Sequence, residues 1–143
     1  MSTIIQFRAI DWGMEICELH IDFPESLGQE GHSGELALYR IDSTIPLDTS
    51  SLSYNTRPRR IAKLGNVPIG NVTWHRRLNC AMDEVLSFEL GCLPLAESGG
   101  DSNCFAEWVQ IKNALPGEPP DQGQHNLVLM GVAAIHMIQH STI

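Results

Sequence analysis

Tyr54-Asn55-Thr56-Arg57 places a phenol, an amide, a hydroxyl and a guanidinium in consecutive positions. The apolar face of a sugar ring stacks on a phenol or indole while polar neighbours bond its hydroxyls. With Trp108, which strand parity leaves on a polar face, this set is the pattern of a glycan platform. Trp12 and Trp74 are further candidates, although packing is the ordinary role of any one aromatic. Arg57-Pro58-Arg59-Arg60 is the only basic run, and with Arg76 and Arg77 it holds five of the seven arginines. Guanidinium forks pair with carboxylates, sulfated glycans or an acidic protein surface. Such a run also suits a processing site, and its ordinary role is a solvated strand start.

Catalytic constellations are scarce. The chain has no Gly-x-Ser-x-Gly elbow and no phosphate loop. A Cys-His enzyme requires a free, activated thiol, and Cys80 near His75 and Arg77 is better explained as a structural thiol or disulfide. Glycoside hydrolysis requires two carboxylates about 5–10 Å apart. Asp11, Glu15, Glu25, Asp83, Glu84, Glu89 and Glu107 are available. Glu107 stands out because it falls on the face of the apolar alternates Phe105, Val109 and Ile111. Burial there would raise its pKa and suit an acid catalyst. A bulge that turns it to solvent is the simpler account, since no second carboxylate is marked as its partner.

The histidines are His20, His32, His75, His125, His136 and His140. His136 and His140 share a face only if the tail is helical, and no acid lies between them, so a strand end or frayed terminus is expected there rather than a metal site. Asp42-Ser43-Thr44 and Asp101-Ser102-Asn103 carry oxygens for calcium but match no EF-hand loop and are equally good turn formers. No catalytic residue, metal ligand or cofactor is assigned.

Cys17, Cys80, Cys92 and Cys104 form no Cys-x-x-Cys pair, which argues against a zinc ribbon or a thioredoxin-type site. Cys92 and Cys104 lie at the facing ends of two apolar runs joined by a Gly-rich loop, where a bridge across a hairpin would sit, and this leaves Cys17 for Cys80. Four free buried thiols are the alternative. The first residues carry no signal-peptide pattern, so the chain is either intracellular or begins after a removed leader. The sequon Asn71-Val72-Thr73 matters only in a secreted chain.

The elements that must position these residues read as strands. Cys17, Leu19, Ile21 and Phe23 alternate with Glu18, His20 and Asp22, and Leu86, Phe88, Leu90 and Cys92 alternate with Ser87 and Glu89. That period of two marks strands with one buried and one wet face. Shorter candidates cover residues 4–9, 36–41, 60–64 and 69–74. Residues 127–137 are apolar on both faces, and Val128, Val132, Ile135 and the interior Gly131 favour a central strand over a core helix. Gly- and Pro-rich loops separate the runs at 24–34, 94–103 and 113–126. The longest polar connection, 42–60, is expected to hold a short extended piece around 52–55.

The composition agrees with one folded domain. The chain has 143 residues, 43% hydrophobic and 18% charged, which excludes a disordered chain. Seventeen acidic residues against nine Lys plus Arg leave a charge of −8, so phosphate backbones are repelled and no nucleic acid is expected as a partner. The longest apolar stretch, 127–135, is far short of the ~20 residues of a membrane helix, so no membrane span is expected. The expected fold is all-β: a single antiparallel, jelly-roll-like β-sandwich over 1–143, with a C-terminal strand near 127–138.

The order of these segments resembles a family of fungal β-rich domains, named after the C-terminal domain of a yeast ubiquitin-like-modifier-binding protein. The likeness is carried by Cys17-Glu18-Leu19-His20-Ile21-Asp22-Phe23-Pro24, Leu38-Tyr39-Arg40-Ile41 and Ser53-Tyr54-Asn55-Thr56-Arg57-Pro58. Ile61-Ala62-Lys63-Leu64-Gly65 and Leu86-Ser87-Phe88-Glu89-Leu90 continue it, so that it covers residues 14–112. The Tyr-Asn-Thr-Arg-Pro piece is also similar to a motif of carbohydrate-binding sandwich modules of the disaggregatase-repeat type. There an aromatic residue, an Asn, a short variable step and a Pro lie in a loop just before a strand. The absent leader and the tail 131–143 depart from the family pattern. The resemblance implies a sandwich fold, a non-catalytic binding or surface role and, because many members look secreted, an extracellular setting. It carries over no catalytic residue.

The expected function is a non-catalytic binding module outside the cell or on a fungal cell surface, with a glycan or a protein as partner. Tyr54, Asn55, Arg57 and Trp108 are its expected contacts. One alternative is an intracellular adaptor or assembly subunit that uses a sheet edge or the apolar C-terminal run. Another is a small enzyme built on Glu107 or a histidine.

Overall fold

The computed structural model describes residues 2–23, 35–70, 73–94 and 134–143. Trp108, Glu107, Cys104, His32, His125, Asn71 and the Asp101 turn lie outside the described residues.

The described chain is all-β, with strands β1 (Ser2–Arg8), β2 (Ile16–Asp22), β3 (Glu35–Ile41), β4 (Arg60–Pro68), β5 (Trp74–Asn79), β6 (Val85–Cys92) and β7 (Ala134–His140). They form a four-stranded sheet, β1-β6-β3-β4, and a three-stranded sheet, β5-β2-β7. All pairings are antiparallel, and the two sheets pack as a β-sandwich. Of consecutive described strands only β3 and β4 are neighbours in one sheet; every other step crosses to the opposite sheet. No described helix is long and apolar enough to cross a membrane.

Alternation along the strands builds the core. Cys17, Leu19 and Ile21 of β2 face Leu86, Phe88 and Leu90 of β6 and Leu36 and Leu38 of β3 across the sandwich, with Phe23, Val67 and Ile135 filling between them. All are buried. Each such side chain contributes about 1.5–3 kcal/mol relative to its exposed state. Trp74, proposed as an exposed aromatic, instead packs partly buried against this core.

Three local expectations change. The strand expected at 69–74 begins only at Trp74 and runs to Asn79. Its inward positions are Trp74, Arg76 and Leu78, since these pair with the inward Ile21, Leu19 and Cys17 of β2. A charged residue in the middle slot hid the apolar alternation. No strand forms at 52–55: Asp48 Oδ1 accepts from both Ser50 N and Ser50 Oγ, and Ser53 and Thr56 bond each other's side chains and backbone. Such local bonds compete with a ladder. Finally, β6 is buried on both faces, with Ser87 and Glu89 as inaccessible as Phe88. The C-terminal strand, expected near 127–138, is described from Ala134 to His140.

Candidate functional site

The outer face of β6 is covered by the connection 42–59, which leaves β3 and returns as β4. Its neck is closed by Asp42 N donating to Arg59 O at 2.8 Å. Gln6 on β1 straddles Pro46: its Nε2 donates to Ile45 O at 3.1 Å and its Oε1 accepts from Leu47 N at 2.9 Å. Ser87 Oγ donates to Ser43 O at 2.9 Å. Proline has no N–H, so one amide side chain satisfies the backbone on both sides of it.

Arg57 and Arg60 close the far end of this cover over Glu89. Arg57 Nη1 donates to Glu89 Oε1 at 2.6 Å. Arg60 grips the same carboxylate with two donors, Nε to Oε2 at 2.9 Å and Nη2 to Oε1 at 3.1 Å. Paired charges and several hydrogen bonds are what an ionised carboxylate needs to tolerate full burial. Burial alone would raise the Glu89 pKa. The hydrogen bonds from Arg60 and Ser2 and the charges of Arg60 and Arg57 outweigh it and hold the group below the ordinary carboxylate range.

Each guanidinium also lies over a phenol. Arg60 is 4.0 Å from the Tyr39 ring centre and Arg57 is 4.3 Å from that of Tyr54. Tyr39 is buried, whereas Tyr54 is 76% exposed at the corner of the turn that Thr56 N closes by donating to Ser53 O. A chain of contacts therefore runs from a buried anion, through Arg57, to an exposed ring. Asn55, beside Tyr54 in that turn, is exposed.

Tyr54, Asn55 and Arg57 thus share one loop tip, and Trp108 lies outside the described residues. Arg57 is turned inward to Glu89, so the basic run neutralises an internal acid, with two guanidiniums against one carboxylate leaving local positive charge. Glu89, Arg60 and Tyr39 were missed as a group. The available signal was an acid in the strand that reads most cleanly as amphipathic, together with an Arg-rich run at the end of a long polar connection.

Glu89 is held ionised and saturated with donors, so it is neither a proton donor nor a free base. A cleft of about 470 Å³ between β1 and β7, lined by Phe7, Ile10, Met14, Leu86 and Met137, has Arg8 and Asp11 as its charged lining residues among the described residues. Arg8 is paired with Asp83 at 3.1 Å. Ser43 is occupied as a turn former, its Oγ donating to Ile45 O.

Cys17 and Cys80 form a disulfide that ties β2 to the residue following β5. Cys92 is disulfide-bonded as well, while Cys104 lies outside the described residues.

No family model, curated protein or solved structure matches the chain.

Proposed function

We propose that the chain is a non-catalytic binding module that works outside the cell or on a cell surface, and that its partner is a glycan recognised at the tip of the 42–59 connection. The observation that carries this reading is Tyr54: a ring 76% exposed whose one face is backed by Arg57, itself bonded to buried Glu89. An aromatic ring fixed before binding loses little conformational entropy when a sugar stacks on it. Asn55 supplies hydroxyl-bonding groups beside it, and Trp108 is the second proposed stacking residue. Oxidised cysteines support the extracellular setting over the intracellular adaptor, because reducing compartments keep thiols reduced. The likeness to fungal sandwich domains and to disaggregatase-repeat modules points the same way.

A glycan array followed by calorimetry on wild type, Tyr54→Ala and Trp108→Ala tests the reading. Tyr54→Ala should weaken binding by about tenfold or more, the loss of a central aromatic anchor, without lowering the unfolding midpoint. Absence of binding to every polysaccharide, or a Tyr54→Ala variant that binds as wild type does, removes it.

A further inference from the structure

The two sides of the sandwich close differently. Where β4 and β5 end their sheets, Arg76 Nη1 donates to Leu64 O, and a Cβ placed on Gly65 would meet the Trp74 ring at 3.6 Å. Where β1 and β7 end theirs, the cleft of about 470 Å³ enters between the layers. Its apolar lining comes from both of them: Phe7 and Leu86 from one sheet, Met137 from the other, and Met14 from the turn between β1 and β2. That turn is braced. Gln139 on β7 ties it at two points, its Oε1 accepting from Ile10 N and its Nε2 donating to Met14 O, each at 3.2 Å. Thr142 N donates to Gly13 O at 2.9 Å and Cys80 N to Glu15 O at 3.0 Å. Two charged groups line the cleft. Arg8 is engaged by Asp83 at 3.1 Å, whereas Asp11 is exposed and makes no ion pair among the described residues. One negative charge is therefore left unbalanced at the mouth. Trp12, next in the chain, is 74% exposed.

The geometry points to a second binding site, apart from the Tyr54 loop: the cleft takes a small amphipathic organic cation, an alkyl or aryl amine, with its apolar body between the layers and its ammonium group at Asp11. None of the lining residues belongs to the 42–59 connection. The volume falls within the range of about 300–1,000 Å³ that small-molecule sites occupy. Flexible thioethers such as those of Met14 and Met137 adapt to apolar bodies of different shape. Because the turn is already tied down, little ordering is left for the ligand to impose. The head group is chosen by charge. An anionic head meets Asp11, and it pairs with Arg8 only by breaking the bond to Asp83. A neutral head gains nothing from the carboxylate. An ammonium neutralises it, and the exposed indole of Trp12 attracts the same cation through its ring quadrupole. The formal charge of −8 adds to this choice, because it draws cations to the surface and repels anions.

The test is calorimetric titration of the full chain with octylammonium chloride, octanol and octyl sulfate, which share a tail and differ in head group, each below its micelle or solubility limit. The expected result is saturable octylammonium binding, with octanol about fivefold weaker, the upper range for an ion pair at the surface, and octyl sulfate weaker still. Asp11→Asn should weaken octylammonium by about the same fivefold and leave octanol unchanged. Added salt should shrink the difference between the two. Met14→Trp, which fills the cleft, should weaken both. Asp11 is exposed in a turn, so its variant keeps the fold even where Met14→Trp does not. Tyr54→Ala should bind octylammonium as wild type does. Absence of saturable octylammonium binding, octyl sulfate binding as tightly, or affinity unchanged in Asp11→Asn overturns the inference. So does a folded Met14→Trp variant that binds as wild type does, or a loss in Tyr54→Ala as large as that in Asp11→Asn.

Discussion

Arg57 Nη1 lies 2.6 Å from Glu89 Oε1, and this one contact fastens an exposed loop tip to a wholly buried strand position. It backs the Tyr54 ring from beneath and, together with the Gln6 and Ser87 hydrogen bonds, holds the 42–59 connection over β6. Arg60 reinforces it from the start of β4 with a two-point grip on the same carboxylate.

Glu89→Gln should therefore destabilise the fold by about 3 kcal/mol, the lower end for removing one partner of a buried ion pair. The lower end applies because the Arg57 and Arg60 side chains are 24% and 34% exposed and regain some hydration. Urea unfolding measures this. A midpoint equal to wild type would show that the cluster is dispensable for the fold.

Acid should unfold the chain in a defined window. The Arg77 hydrogen bond, helped by His20 and opposed by burial, lowers the Glu18 pKa from 4.5 to about 2. Glu89 is also lowered, because its arginine and serine partners outweigh the burial penalty. A carboxylate whose folded pKa lies below its unfolded one adds stability that is complete above the unfolded value and is lost as pH falls through the folded one. The thermal midpoint should hold steady from pH 7 to about pH 5 and then fall steadily toward pH 2. Glu18→Gln should flatten part of that decline, and an identical pH profile in this variant would refute the assignment.

Reduction should cost more than any single surface change. The Cys17–Cys80 bridge spans 63 residues. In the chain-entropy account, closing a loop of that length restricts the unfolded chain by about 4 kcal/mol. Cys17→Ser/Cys80→Ser should lower stability by that order in denaturant titration. Thiol titration of the denatured, unreduced protein should find at most one free thiol, because Cys17, Cys80 and Cys92 are all bridged. Four reactive thiols would return the intracellular adaptor to first place.

Gly13 is the turn residue between β1 and β2 whose backbone conformation disfavours a side chain. Its φ is +74°, and an added Cβ would come within 2.7 Å of the Ile143 side chain. Gly13→Ala should destabilise by about 1–2 kcal/mol, the ordinary cost of the left-handed conformation for an L-residue. Its carbonyl also accepts from Thr142 N at 2.9 Å, so the variant should loosen the C-terminal residues, seen as faster amide exchange at Thr142.

The sequence by itself determined the class of fold. A side-chain period of two is local, so Cys17, Leu19 and Ile21 on β2, and Leu86, Phe88 and Leu90 on β6, declare their buried faces without reference to any other segment. Turn chemistry is local too. The sequence also placed Cys17 with Cys80 in one of its alternatives, and the disulfide is there. What remained hidden depends on register and cover, which arise only when distant segments meet. Glu89 reads as a solvent-facing alternate until the 42–59 connection folds over it. His20, His75 and His136 are scattered along the chain and become neighbours only through the pairing of β2 with β5 and β7. Periodicity reports which way a side chain points; only the tertiary structure decides what stands in front of it.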